Sequence, residues 1–139
     1  MKRNKFLVIG SGRLGANIAT QMSDQGEDVI ILDIRHESFR KLNDSFSGYE
    51  MTGDATDMSV LESAYINFTK TVVITTDNDN TNIFLAHVCY YIYNVPRIYV
   101  RLNDTEKGRL LEGTYIKAIY PFTLSFNEFV VLYTEGDSL

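Results

Sequence analysis

Residues Lys5 to Gly15, reading Lys-Phe-Leu-Val-Ile-Gly-Ser-Gly-Arg-Leu-Gly, constrain this chain more than any other stretch. A short apolar run, Phe6 to Ile9, enters Gly10-Ser11-Gly12-Arg13-Leu14-Gly15, and an amphipathic segment begins at once. That order predicts a strand, a tight turn and the N-terminus of a helix. Gly10 suits the turn, Gly12 lets backbone come close to a pyrophosphate, and Gly15 lets the helix lie against the strand. The first-turn N–H groups lack partners within the helix, so they can face a diphosphate and its negative charge. Glycine spacing alone is a weak signal; its strand–turn–helix context strengthens it.

Strand and helix signals alternate along the rest of the chain. Asp28 to Asp33 is a near-continuous apolar run, as expected of a parallel strand covered on both faces. Lys70 to Thr75 and Arg97 to Arg101 resemble it, and shorter candidates lie at Tyr49 to Gly53 and Lys117 to Tyr120. Between them, Leu14, Ile18 and Met22 repeat with helical spacing up to a stop at Gly26. So do Phe39, Leu42 and Phe46, and then Met58, Leu61 and Tyr65. Ile83 to Tyr93 is apolar on nearly every side, which predicts a helix buried by the fold or partly by a partner. Such alternation predicts an α/β fold: a Rossmann-like, doubly wound parallel sheet of order 3-2-1-4-5-6, with helices on both faces. The ligand is expected at the carboxyl ends of the strands.

The last segment differs. From Pro121 to Tyr133 one helical stripe carries Phe122, Phe126, Phe129, Val130 and Tyr133. It either packs on the sheet or crosses to a second subunit; the second reading is preferred, because the stripe would expose a large apolar patch in a monomer. Residues 1–120 are thus expected to form the nucleotide-binding domain, and 121–139 a C-terminal dimerisation helix.

Composition narrows the function. With 139 residues, 45% hydrophobic and 22% charged, the chain reads as one ordinary soluble domain. A net charge of −5, with no basic cluster beyond Lys2, Arg3 and Lys5, argues against nucleic acid as a partner. No apolar run is long enough for a signal sequence or a membrane span, so no direct membrane insertion is expected. The single cysteine, Cys89, lies in an apolar run and is expected to be buried and inert, which fits a cytoplasmic setting.

The candidate binding residues follow from the fold. Asp33 ends the second strand eighteen residues past Gly15, where a carboxylate takes the adenosine ribose hydroxyls; the competing reading is a cap for the next helix. A 2′-phosphate within about 4 Å of that carboxylate would cost on the order of 4 kcal/mol at an effective dielectric near 20, which disfavours NADP. Ile34 and Arg35 follow; Arg35 could receive a 2′-phosphate, stack over adenine, or be solvated. Arg13 sits at a helix N-terminus, where the dipole repels a cation, so a phosphate contact competes with plain solvation. Gly53-Asp54-Ala55-Thr56-Asp57 is expected beside the adenine, or as a simple helix cap. Thr75-Thr76-Asp77-Asn78-Asp79 ends the fourth strand at the switch point, near ribose and phosphates. No metal-spaced His/Cys cluster and no nucleophile–base pair is readable, and no residues remain for a substrate domain. His36 begins a surface helix and His87 is expected to satisfy a core hydrogen bond. The expectation is a binding module without catalysis; the alternative is the cofactor-binding domain of an NAD-dependent oxidoreductase.

Taken together, Gly-Ser-Gly-Arg-Leu-Gly at 10–15, Asp33, Gly-Asp-Ala-Thr-Asp at 53–57, Thr-Thr-Asp-Asn-Asp at 75–79 and Ile-Tyr-Val-Arg at 98–101 resemble a known domain. It is the nucleotide-binding N-terminal (KTN/RCK) domain of Trk/Ktr-type potassium-transport regulators. The resemblance implies binding of NAD(H), ADP or ATP, and assembly of dimers into a ring beneath a membrane potassium transporter or channel that nucleotide exchange gates. It implies phosphate contacts from Gly10, Ser11, Gly12, Arg13, Leu14 and Gly15, and ribose contacts from Asp33. It places Asp54 and Ala55 by adenine and Arg101 near the phosphates of its own or a neighbouring subunit. Glu112 resembles a glutamate that reaches a terminal phosphate, sometimes through a divalent cation. The sequence departs there, reading Gly113-Thr-Tyr-Ile-Lys-Ala where the family often has Gly-Ala-Asp. The location implied is cytoplasmic and peripheral at the inner membrane face. The family's usual second, C-terminal ligand domain is absent, which implies either a truncated or a stand-alone form.

Overall fold

The computed structural model describes residues 2–137. Six parallel strands form one sheet in the order β3-β2-β1-β4-β5-β6, as expected. They are β1 (Lys5–Ile9), β2 (Asp28–Asp33), β3 (Tyr49–Thr52), β4 (Thr69–Ile74), β5 (Arg97–Arg101) and β6 (Lys117–Ile119). Four helices accompany them: α1 (Arg13–Asp24), α2 (Met58–Ser63), α3 (Asp79–His87) and α4 (Pro121–Asp137).

Alternation along the central strands divides the core between the two faces of the sheet. Leu7, Ile9, Ile30, Leu32, Val72 and Ile74 face one side, where Leu61 of α2 and Ile83, Leu85 and Ala86 of α3 cover them. Phe6, Val8, Val29, Ile31 and Val73 face the other, covered by Ala19, Ile18 and Met22 of α1 and by Phe39, Leu42 and Phe46. Every apolar side chain of β1 is therefore spent, which is why its sequence shows no polar alternation. Small residues at Gly15, Ala16 and Ala19 bring α1 close to the sheet. The helix closes at Gly26, whose φ of +92° takes the left-handed turn beyond the last carbonyls.

Three helical expectations need correction. The Phe39–Leu42–Phe46 repeat does not form one helix. A 3-10 turn covers His36–Lys41, and the backbone is already extended at Leu42 (φ −69°, ψ 143°), so the apolar side chains reach the core from a turn and a loop. Met58, Leu61 and Tyr65 do not share a helix either, because α2 ends at Ser63 and Tyr65 is left-handed (φ 64°). Finally, Ile83–Tyr93 divides into the end of α3 and a π-helical segment, Val88–Ile92. Phe84, Tyr91 and Ile92 of this region remain exposed, while Ile83, Leu85, Val88 and Cys89 are buried.

The apolar stripe of the C-terminal helix is not covered by the described residues of its own chain. Helix α4 leaves Phe122 74%, Phe126 59% and Tyr133 62% exposed, together with Leu124, Phe129, Val131 and Leu132. No helix among the described residues is long and apolar enough to cross a membrane.

Candidate functional site

The first corner of the fold is built by two glycines doing different work. Gly10 has φ +101°, and a Cβ there would lie 2.8 Å from the Thr75 carbonyl carbon and 2.9 Å from the Thr76 nitrogen. Gly15 faces the Gly10 carbonyl and the Thr75 hydroxyl so closely that a Cβ would overlap both. The β1–α1 turn is thus pressed against the end of β4, and Thr75 Oγ1 lies 3.0 Å from the Gly10 carbonyl oxygen, to which it can donate. Gly12 is the opposite case: a Cβ would meet no protein atom within 4 Å. As N-cap of α1 it offers no side chain to the first-turn N–H groups. Those donors and the space beside Gly12 fit an anionic group better than they serve the helix.

Asp33 closes the second side. Its Oδ2 accepts the Ser11 N–H at 2.7 Å and its Oδ1 accepts the Arg35 N–H at 2.8 Å. Each carboxylate oxygen keeps a second lone pair, so the group is fixed in place without being used up. It can still accept hydroxyl donors. After β3, Asp54 Oδ1 accepts both the N–H and the hydroxyl of Thr56, which hold its carboxyl below the usual carboxylate range. Asp57, next along, caps α2 through the Ser59 N–H.

The third side is the switch point between β1 and β4. Thr75 is buried, Thr76 is half-buried and Asp77 is exposed. Asp79, by contrast, turns to the loop after β5, its carboxylate accepting the N–H groups of Asn103 and Asp104 at 2.9 Å each. Arg101 ends β5 with its Nε–H buried and without an acceptor among the described residues. A buried orphan donor is costly unless an acceptor arrives, and a phosphate or carboxylate at that point would supply one.

These groups surround a cleft of about 580 Å³ at the carboxyl ends of the strands. Of the residues anticipated from sequence, Gly10, Gly12, Asp33, Ile34, Arg35, Gly53, Asp54, Ala55, Thr75, Thr76, Asp77 and Arg101 all line it. Five do not. Ser11 is fully buried, its N–H given to Asp33 and its hydroxyl to the Ser38 carbonyl, so it positions the loop from behind. Gly15 is buried under the turn, Leu14 is half-buried, and Arg13 is exposed on the first turn of α1. Glu112 is exposed at the end of the 3-10 segment Thr105–Leu111, off the cleft wall.

Sequence reasoning missed Ser38 and Lys41, which also line the cleft. In a 3-10 turn residues three apart eclipse, so Ser38 and Lys41 share one face, and Arg35, the extended residue before the turn, borders the same cleft. His87 bonds the Leu110 carbonyl oxygen at 2.9 Å and takes no part in the cleft. Among the described residues there is no group of three or more His, Cys, Asp or Glu side chains placed to hold a metal ion.

The fold and the cleft define a Rossmann-type domain with a glycine-built first turn at the N-terminus of α1 and a carboxylate at the end of its second strand. The TrkA-N domain model matches residues 6–121, and the chain belongs to that family. It is 29% identical over 107 residues to a Trk system potassium uptake protein TrkA homolog of Pyrococcus abyssi, covering 77% of this chain and 47% of that protein. The TrkA protein of Streptomyces coelicolor is 29% identical over 114 residues, covering 82% and 51%. The chain therefore spans about half the length of these curated relatives. Among solved structures, the GsuK channel bound to NAD superposes with a TM-score of 0.84 at 26% identity, over 99% of this chain and 24% of that one. GsuK bound to ADP superposes with a TM-score of 0.80 at 27% identity, over 93% and 33%.

Proposed function

We propose that this chain is the nucleotide-sensing regulatory domain of a potassium uptake system, binding NAD(H) or ADP/ATP in the cleft and acting on a membrane transporter rather than catalysing a reaction. The observation that carries this reading is the convergence of Gly12, the fixed Asp33 carboxylate and the orphaned Arg101 Nε–H on one cleft. An adenosine ribose would donate its hydroxyls to Asp33, and its diphosphate would lie along the Gly10–Gly12 turn. Arg101 would meet the phosphates. The relatives named for potassium uptake, and the GsuK structures named for NAD and ADP, support the same assignment.

Regulation needs two ligands that favour different arrangements; equal affinity for both would shift nothing. In this proposal a γ-phosphate and a nicotinamide half make different contacts at Thr76, Asp77 and Arg101. A divalent cation accompanying ATP, with Glu112 approaching it, belongs to the proposal as well. So does assembly: residues 1–120 hold nucleotide, and residues 121–139 cross to a second copy, building a homodimer or larger ring at the cytoplasmic face of the membrane partner.

Isothermal titration with NAD, ADP and ATP tests it. Binding of at least one in the micromolar to low millimolar range is expected. No heat with any of the three at millimolar ligand would overturn the reading.

A further inference from the structure

Asn82 lies one turn into α3, wholly buried, and it does not line the cleft. Its side chain nonetheless reaches two residues that do. Asn82 Nδ2 donates to the Thr76 carbonyl oxygen at 3.0 Å and to the Arg101 carbonyl oxygen at 2.9 Å. Its Oδ1 accepts the Thr76 N–H at 3.2 Å and also the Thr76 hydroxyl. Two donors and one acceptor are all matched, so the amide has a single sensible orientation. It joins the end of β4 to the end of β5 across the switch point.

Resting on the nucleotide-binding reading above, we infer that Asn82 is a positioning residue for the phosphate side of the cleft, acting through Arg101. The segment after β5 is gripped from α3 at three places: the Arg101 carbonyl by Asn82, and the Asn103 and Asp104 N–H groups by Asp79. The Arg101 guanidinium therefore extends from backbone that the sheet holds up to its Cα and that these bonds hold beyond it. The guanidinium also reaches Asn103 Oδ1 through one terminal nitrogen at 3.4 Å, and its buried Nε–H, without an acceptor among the described residues, stays available to a ligand anion. A ligand carrying phosphates benefits from that arrangement; the ribose end, built by Asp33 and the glycine turn, does not involve Asn82.

The test is a ladder of ligands on the whole chain, read by NMR titration, which follows millimolar affinities. Adenosine and ADP are titrated into the wild type, into Asn82→Asp, into Arg101→Ala and into the double variant. Asn82→Asp retains the acceptor and the shape, loses both donors and adds a negative charge; the double variant separates that charge from positioning, because repulsion of ADP would persist without Arg101. Asn82→Asp is expected to weaken ADP about tenfold or more while adenosine changes by less than about twofold. In the Arg101→Ala background the same change is expected to add less than about twofold. Equal losses for adenosine and ADP, or additive losses in the double variant, would overturn the inference while leaving the nucleotide reading intact. A wild type that takes neither ligand would overturn both. Should Asn82→Asp fail to fold, the side-chain NH2 resonances of Asn82 in the wild type decide: they are expected to move with ADP and not with adenosine, and resonances unmoved by ADP would sink the idea.

Discussion

Asp33 accepts the backbone N–H of Ser11 at 2.7 Å, so the end of β2 and the glycine turn after β1 are fastened to each other by the protein itself. Ser11 is fully buried, and that N–H has no water to turn to if the carboxylate is removed. One carboxylate therefore bears on stability and on recognition together.

Asp33→Ala is expected to cost about 1–3 kcal/mol of stability by orphaning that buried N–H. Nucleotide affinity should fall with it. In the wild type, NADP is expected to bind at least about tenfold more weakly than NAD, because its 2′-phosphate meets the Asp33 carboxylate. Asp33→Asn should narrow that gap. Melting curves and paired calorimetric titrations check both statements, and equal affinity of the wild type for NAD and NADP would refute the second.

Gly12 and Gly15 are expected to separate binding from folding. Gly12→Ala meets no protein atom and keeps an ordinary φ of −76°, so stability should change by no more than about 0.5 kcal/mol while nucleotide binding is lost. Gly15→Ala forces a methyl group onto the Gly10 carbonyl and the Thr75 hydroxyl, and should destabilise by about 1–3 kcal/mol or more. Thermal melts beside ligand titrations distinguish them. Unimpaired binding in Gly12→Ala would show that no ligand approaches that backbone.

Burial pushes the Cys89 thiol up to about 12. The thiol should therefore resist thiol-directed reagents at pH 8 in the native chain and react on unfolding. The sign for stability follows: the unfolded thiol loses its proton from about pH 9 upward, whereas the folded one keeps it to about 12, so stability falls across that window. Tyr93, raised to about 12 by burial and by its bond to Glu62, adds to the fall above about pH 10. Denaturant midpoints measured from pH 8 to 11 should decline, and less steeply in Cys89→Ala. A flat profile in the wild type would contradict this.

The apolar side chains of α4 are expected to hold copies of the chain together. Light scattering should find a dimer or larger species at micromolar concentration, and Phe126→Asp should shift it toward monomer without lowering the melting temperature of the sheet domain. A monomeric wild type would exclude this role for the helix.

The strands and their order were legible because a parallel sheet covered on both faces demands apolar runs, and Phe6–Ile9, Asp28–Asp33 and Thr71–Ile74 show them directly. The glycine turn and Asp33 were legible because their spacing follows from the geometry of one βαβ unit. Ser38 and Lys41 were hidden by a periodicity that promised an α-helix, while the chain folds a 3-10 turn whose face lies elsewhere. Asn82 was hidden for a different reason. Its partners are six and nineteen residues away, one just past β4 and one at the end of β5, and no local pattern announces such a bridge. Ser11 looked like a phosphate ligand; only the coordinates show that its N–H already belongs to Asp33.

The close seating of Gly10 against Thr75 and Thr76 has a mechanical consequence. A Cβ at Gly10 would lie 2.8 Å from the Thr75 carbonyl carbon, so the floor of the crevice cannot be squeezed further, and under the proposed function a tighter grip on one nucleotide than another has to come from elsewhere. In the proposed function that place is the rim, where the exposed residues Arg35, Lys41, Asp77 and Asn78 border the cleft, and it is from those lips that a change of ligand would be passed outward.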